Sequence, residues 1–491
     1  MAQIKVLIVG SEVTPFAKTG GLADVLGSLP KALSELDLDV RVAMPCHKQV
    51  AKSQYLTDLP VGMDGYWETA IIRQARIDAQ PGSSKPVPVY MVDNYKFFHR
   101  ESLYGYHDDA QRYDFFCKAV LAMLPLIGFK PEVIHCNDWP TGPLPLHLKV
   151  RHEDEPFYKD IATLFTVHNL AYQGRFGREV MVSMGLGNEF FTPARIEFYG
   201  QVNFMKAGLV YADVINTVSK KYSMEIQDPE YGEGLDGLLR QRAGDLYGIL
   251  NGIDYQVFDP ATDPHIAANY SAADISPKKA NKKALQEKMG LPGREVPVIG
   301  LVTRLAAQKG LDLIDGMAHQ FLREDIQFIV LGKGEDQFQQ MFIQLGKAYR
   351  SKVGVTIGFD TELAQLIYAG SDMFLMPSRY EPCGLGQMIS LRYGTIPIVR
   401  ATGGLEDTIL DYNQNSEQGT GFSFKEINAD ALFSTVQRAL SLYRNNSSEW
   451  ERMMIRGMQA DFSWNKSARE YLKAYERAVV KRQDHYRMQA G

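Results

Sequence analysis

Short runs of Val, Ile, Leu and Phe alternate along this chain with longer stretches of mixed or amphipathic character. Unbroken apolar runs of that length mark strands buried on both faces of a parallel sheet, and the stretches between them supply the crossovers of βαβ units. In the first half the pattern predicts strands at 4–10, 40–44, 87–92, 132–136, 161–167 and 214–218. In the second half it predicts strands at 296–303, 326–331, 353–357, 372–376 and 396–399. Two such sets predict an α/β protein with two doubly wound domains.

The turn signal Asn251-Gly252-Ile253-Asp254 separates the two sets and is followed by a polar stretch over 271–283, which places the hinge near residue 252. A second discontinuity falls at Asp461-Phe462-Ser463-Trp464, after which the chain reads helical to His485. The expected organisation is a first domain over 1–252, a second over 253–461, and a terminal helical segment over 462–491 docking across the domains and packing back on the first. One internal echo accompanies the two halves. Thr19-Gly20-Gly21-Leu22-Ala23-Asp24 matches Thr402-Gly403-Gly404-Leu405-Glu406-Asp407 at five of six positions, each in a strand-to-helix turn.

Composition narrows the class. The chain has 491 residues, 45% of them apolar and 23% charged, enough for sizeable cores. Lys and Arg number 53 against 58 Asp and Glu, a net charge of −5, so the global electrostatic signature of a nucleic-acid binder is missing. The four cysteines lack any Cys-x-x-Cys spacing, which fits a reducing cytoplasm better than a disulfide scaffold or a cysteine zinc site. The most apolar stretch, 119–129, is bounded by Lys118 and Lys130 and is short of the ~20 residues of a membrane helix. The run at 4–9 carries Lys5 and leads into a Gly turn, so it reads as a first strand and not as a signal peptide.

In open parallel sheets ligands bind beyond the carboxyl ends of the strands, so the residues just after each run are the candidates. After the first run, Lys18-Thr19-Gly20-Gly21-Leu22-Ala23-Asp24 combines a cation, paired glycines and a helix start, the makings of an anion-binding loop; a solvated glycine turn is the alternative. Arg304 and Lys309 follow the run at 296–303 and form a pair that could hold two phosphates and offset charge on a leaving group, or simply be surface charge. Glu381-Pro382-Cys383-Gly384-Leu385 follows the run at 372–376 and opens a helix, with Glu381 either facing sugar hydroxyls or capping that helix. Cys383 reads as a small packed residue. Asp138 and His168 each follow a strand on the same side of the first sheet; either alone reads as a turn residue, and their joint position is the signal.

Competing chemistries lack their residues. Gly332-Lys333-Gly334 begins a dinucleotide fingerprint, but Gln337 stands at the third glycine, and no Walker A spacing occurs. Asp37-Leu38-Asp39 enters a strand at its amino end, away from where ligands bind, and no His-Glu-x-x-His is present. This reading requires no metal and no cofactor.

Taken together, the segment Lys18 to Asp24, Val167-His168-Asn169-Leu170-Ala171-Tyr172-Gln173-Gly174, Arg304 to Gly310, and Arg379-Tyr380-Glu381-Pro382-Cys383-Gly384-Leu385 resemble the bacterial glycogen synthases and plant starch synthases. The resemblance runs nearly end to end and includes Leu250 to Asp254, Tyr393-Gly394-Thr395, Thr402 to Leu405 and Phe462-Ser463-Trp464. It implies the GT-B arrangement, two Rossmann-like domains facing a cleft, and metal-independent transfer of glucose from ADP-glucose to the non-reducing 4-hydroxyl of an α-1,4-glucan with retention. By motif position it implies that Lys18, Arg304 and Lys309 bind the diphosphate with backbone groups at Gly20, Gly21, Gly384 and Leu385. It implies that Asp138, His168 and Glu381 contact the donor glucose or shape the site around its anomeric carbon. Asp24, Asn169, Asn251, Phe359, Cys383 and Gln387 are carried over as further substrate-binding positions. Retention by double displacement needs a carboxylate nucleophile, and the resemblance favours front-face transfer instead.

The chain departs from the family pattern at Pro140, where His is usual, at Gly386, where Thr, Ser or Asn is usual, and at Phe359, where a relative carries Tyr near the base. Ile389 stands where the broader clan often has a second Glu. Two alternatives to the glucan-elongating enzyme stand beside it: a catalytically silent glucan-binding scaffold, and a retaining GT-B transferase using UDP-glucose. The expected partners are ADP-glucose and glycogen or malto-oligosaccharide, with no nucleic acid or membrane, in the cytoplasm.

Overall fold

The computed structural model describes residues 3–63, 65–79, 85–413 and 417–490, with side chains described as far as His485. The chain divides into two compact units. The first comprises the residues up to Val218, Ser223–Gly252 and the chain from Trp464 on; the second comprises Ser219–Tyr222 and Ile253–Ser463. Every run read as a strand forms one.

Among the described residues the first unit is built on a nine-stranded sheet. From edge to edge it runs Leu246–Gly248, Val214–Thr217, Ala162–Val167, Val133–Asn137, Lys5–Val9, Asp39–Pro45, Val87–Asp93, Tyr66–Ile77 and Gln54–Met63. The first seven are parallel. Their Val- and Ile-rich composition follows from burial on both faces. The last two form an antiparallel hairpin that the parallel pattern does not contain. Its signal is present in the sequence as an alternation, with Leu59, Val61 and Met63 buried and Pro60 and Gly62 exposed, followed by the turn dipeptide Asp64-Gly65.

The second unit carries a six-stranded parallel sheet in the order Val353–Ile357, Gln327–Gly332, Val298–Val302, Met373–Met376, Ile396–Arg400 and Phe422–Phe424. Lys278, at the start of the helix Lys278–Lys288, is buried. Its ammonium donates to the carbonyls of Ala369 at 2.7 Å and Tyr393 at 3.0 Å and to the Thr395 hydroxyl at 2.8 Å. A cation placed at the carboxyl ends of two helices, Thr361–Gly370 and Gly386–Arg392, satisfies carbonyls that helix geometry leaves open.

The helix Trp464–Ala490 packs on the helix Gly21–Ser34 and the strand Ala162–Val167, within the first unit. Its anchor is a chain of buried polar groups. The Thr166 hydroxyl donates to Asn216 Oδ1, so it accepts from His135 Nε2 at 2.6 Å, which leaves His135 Nδ1 to accept from the Tyr475 hydroxyl at 3.0 Å. Burial pulls the His135 pKa down to about 3, keeping this chain neutral. Such a chain is stabilising only when every member is satisfied. Tyr475→Phe removes one donor and leaves Nδ1 buried without a partner, at a cost of about 1–2 kcal/mol. The thermal midpoint should therefore fall by roughly 2–6 °C, and an unchanged midpoint contradicts the anchor.

Candidate active site

Both sheets contain a point where the chain order reverses. In the first unit Lys5–Val9 lies between Val133–Asn137 and Asp39–Pro45; in the second Val298–Val302 lies between Gln327–Gly332 and Met373–Met376. At such a reversal the two connections leave in opposite directions and open a crevice at the carboxyl ends of the strands. Several of the candidate residues of each unit follow the strands at its order reversal.

In the first unit, the strand Lys5–Val9 leads into a loop latched by a carboxylate that sequence reasoning missed. Glu12 is buried, and it accepts hydrogen bonds from the Thr19 amide, the Thr19 hydroxyl at 2.9 Å and the Gly20 amide at 3.3 Å. Burial raises the Glu12 pKa, and the Thr19 amide opposes that rise. A lone acid in a loop has no periodicity, so only its position two residues beyond Gly10 hinted at a role. Gly20 precedes the helix Gly21–Ser34 and offers its first-turn amides no side-chain cap. A Cβ at Gly20 or Gly21 would meet nothing within 4 Å, whereas one at Gly27 would lie 2.7 Å from the Thr14 carbonyl. Gly27 therefore serves the packing of the helix, while the paired glycines leave the backbone open to an approaching anion. Lys18 borders this loop, 55% exposed, with its ammonium 2.7 Å from Asp24.

Asp138, His168 and Asn169 form the second cluster of this unit. Asp138 adopts φ +58, a backbone region a non-glycine residue rarely takes, and its carboxylate accepts from the His168 amide at 2.7 Å. Burial pushes the Asp138 pKa up to about 7, the amides of His168 and Asn169 oppose it, and the Glu12 charge adds to it. The Asn137 side-chain amide donates to the carbonyls of Val9 and His135, which fixes its oxygen as the acceptor for His168 Nε2 at 2.9 Å. Burial pulls the His168 pKa down to about 3, so the ring is neutral, protonated on Nε2, with the Nδ1 lone pair available to a hydroxyl donor.

In the second unit, Lys309 and Glu381 meet at 2.6 Å, and Ser378 donates to the same carboxylate oxygen at 2.9 Å. Both members of the ion pair are largely buried, so neither charge is diluted by water. Arg304 stands exposed after Val298–Val302 and donates to Gln308 at 3.1 Å. Arg400, which sequence reasoning did not single out, donates to the carbonyls of Ser378 and Arg379 and fixes the loop that carries Glu381. The second Thr-Gly-Gly lies beneath that loop. A Cβ at Gly403 would come within 1.9 Å of the Glu381 carbonyl, and one at Gly404 within 2.0 Å of the Cys383 carbonyl. The echoed motif therefore leaves backbone open in one unit and packs backbone on backbone in the other.

The remaining candidates are more dispersed. Cys383 is buried, Gly384 takes φ +72 beside Leu385, and the buried Gln387 amide donates to the carbonyls of Cys383 and Gly384. Phe359 stands just beyond the edge strand Val353–Ile357 and is 84% exposed. Asn251 is buried at the end of the first unit's Ser223–Gly252 segment.

Two doubly wound units, each with open backbone or cationic groups at its order reversal, have the fold of a GT-B glycosyltransferase. Residues 5–241 match the family model for the starch synthase catalytic domain, and 282–454 that for glycosyl transferases group 1. The chain is 59% identical over 479 residues to a glycogen synthase of Moorella thermoacetica, covering 98% of each chain. It is 54% identical to one from Desulforudis audaxviator, covering 97% of each. The catalytic domain of starch synthase IV from Arabidopsis thaliana, solved with ADP and acarbose, superposes with a TM-score of 0.90 at 33% identity, over 98% of this chain and 100% of that one. The chain belongs to the glycogen synthase family and is a glycosyltransferase.

A histidine in an unfolded chain protonates below about pH 6.5. With its folded pKa depressed, the contribution of His168 to stability is complete above that pH and is lost as pH falls toward 3. Nitrogen-15 NMR should show the Nε2-protonated ring and no titration between about pH 5 and pH 8. Proton uptake centred near 6.5 contradicts the buried placement.

Proposed function

We propose that this enzyme transfers glucose from ADP-glucose to the non-reducing 4-hydroxyl of an α-1,4-glucan with retention of configuration, in the cytoplasm. The observation that carries the reading is the buried Lys309–Glu381 pair beside Arg304 at the second unit's order reversal. A diphosphate leaving group develops negative charge as it departs, and cations already in place stabilise that charge without reorganising. Arg304 and Lys309 take the diphosphate, with the amides of Gly384 and Leu385. In the first unit, Lys18 and the open backbone of Gly20 and Gly21 offer an anion site of their own, with Asp24 beside Lys18. Phe359 offers an exposed ring face for the adenine, and Asn251, Cys383 and Gln387 border the site.

The groups suited to sugar hydroxyls are Asp138, His168 and Asn169 in the first unit and Glu381 in the second. The His168 Nδ1 lone pair accepts from a sugar hydroxyl; Asp138, with a pKa near neutrality, can accept or donate. In the transfer step the bond from the anomeric carbon to the β-phosphate oxygen breaks. The acceptor 4-hydroxyl oxygen bonds the same face of that carbon, and its proton passes to the departing phosphate oxygen. The products are ADP and a glucan longer by one glucose. No carboxylate nucleophile is required, and exclusion of water favours transfer over hydrolysis. The starch synthase that accommodates both ADP and acarbose supports a nucleotide and a glucan-like ligand in one fold. For the location, Cys46, Cys117, Cys136 and Cys383 are free thiols, in keeping with a reducing compartment.

Initial rates with ADP-glucose and UDP-glucose, and proton NMR of the linkage formed, test the reading. ADP-glucose should be the better donor, with new α-1,4 bonds. Arg304→Ala and Lys309→Ala should each lower kcat/KM for the donor by roughly 10- to 100-fold, while Glu381→Gln should act mainly on kcat. Near-normal kinetics in all three variants contradict the site.

A further inference from the structure

The first unit contains a two-residue hairpin whose tip does not suit its sequence. The strands Glu197–Phe198 and Gln201–Asn203 pair antiparallel with Phe198 opposite Gln201, leaving Tyr199 and Gly200 as the turn. Both take positive φ, +49 and +79. A turn of this type favours Asn-Gly, because Asn and Gly enter the left-handed region at little cost, whereas a bulky aromatic residue there is an outlier. The ring gains little burial in return: Tyr199 is 81% exposed.

The ring is nevertheless held. It stands edge-to-face on the buried Phe198, centroids 4.7 Å apart at 81°. On another side it approaches Gly234, where a Cβ would come within 3.4 Å of the ring. Gly234 follows Glu233, another non-glycine residue at positive φ. The Glu233 carbonyl accepts from the Gln173 side chain at 3.0 Å, and Gln173 in turn accepts from Asn203 on the hairpin at 2.7 Å. Gln173 ends the segment that begins at His168, and its neighbour Tyr172 is 51% exposed. A strained, exposed and braced ring is thus tied through two side-chain hydrogen bonds to the segment carrying a candidate sugar-binding histidine. Strain kept at a largely exposed ring, in a turn whose chemistry favours another residue, points to a ligand.

We propose that Tyr199 is a binding platform for the acceptor α-glucan, stacking on the apolar C–H face of a glucose residue while the hydroxyl rim stays in water. A pyranose presents that combination of apolar face and polar edge, and an aromatic ring with a phenolic tip complements it. The proposal rests on the glucan-elongating reading and adds a residue that sets acceptor affinity.

The test uses the full chain and maltoheptaose as probe, at saturating ADP-glucose, with acceptor binding also measured by calorimetry in the absence of donor. Tyr199→Asn should raise both KM and Kd for maltoheptaose about fivefold, with kcat and donor KM within about twofold. Its thermal midpoint should be unchanged or higher, because Asn suits the turn. Tyr199→Phe keeps the ring and should stay within about twofold of the parent in KM and Kd. Unchanged KM and Kd in Tyr199→Asn overturn the proposal, as does a lowered midpoint, which would make the residue a structural one. A parent enzyme that elongates maltoheptaose while Tyr199→Asn behaves identically refutes the platform alone; a parent that elongates no α-glucan refutes the underlying reading.

Discussion

A parallel strand delivers its carboxyl end, and whatever follows it, to one edge of the sheet, and the rest of this molecule depends on that constraint. Once Lys5–Val9 and Val298–Val302 occupy the middle of their sheets, the chain must leave in opposite directions on either side, and a crevice forms in each unit without any residue being selected to make it. What the sequence then supplies is charge and open backbone at those two places: Gly20 and Gly21 at one, Arg304, Lys309 and Glu381 at the other.

Loops at such an edge have no ladder to hold them, and buried polar groups do that work here. Glu12 gathers two amides and a hydroxyl of the Gly-rich loop, and Arg400 gathers two carbonyls of the Glu381 loop. Each group is buried among its partners, so loss of one partner would leave a desolvated polar atom and not a solvated one. The arrangement explains how irregular segments can be pre-organised for binding. It also explains why the two Thr-Gly-Gly segments diverge. Glu12 supports the first from behind and leaves its glycines open, whereas the second is itself the support.

The parallel strands were legible because burial on both faces writes an unbroken apolar run into the sequence. The antiparallel hairpin was not read, since its Leu59, Val61 and Met63 alternate with exposed positions and carry half the apolar signal of a central strand. Lys18, Arg304, Lys309 and Glu381 could be named because they follow strands and belong to an ordered set of motifs. Glu12, Asn137, Ser378 and Arg400 could not. Glu12 and Arg400 bond backbone atoms, Asn137 and Ser378 bond the side chains of His168 and Glu381, and no periodicity in the chain encodes such contacts. Tyr199 falls between these cases: Tyr-Gly between two short strands is visible in the sequence, but the sign of φ and the exposure of the ring are properties of the folded turn.

If Arg304 and Lys309 supply the affinity for the donor's diphosphate, a comparison of ADP with adenosine by titration calorimetry reads it most directly. Two charge-assisted contacts should make ADP bind at least about a hundredfold more tightly than adenosine in the parent enzyme. In the double variant Arg304→Ala/Lys309→Ala most of that difference should disappear while adenosine affinity is kept. A double variant that still prefers ADP by the parent's margin would place the diphosphate elsewhere and contradict a role for Arg304 and Lys309 in binding it.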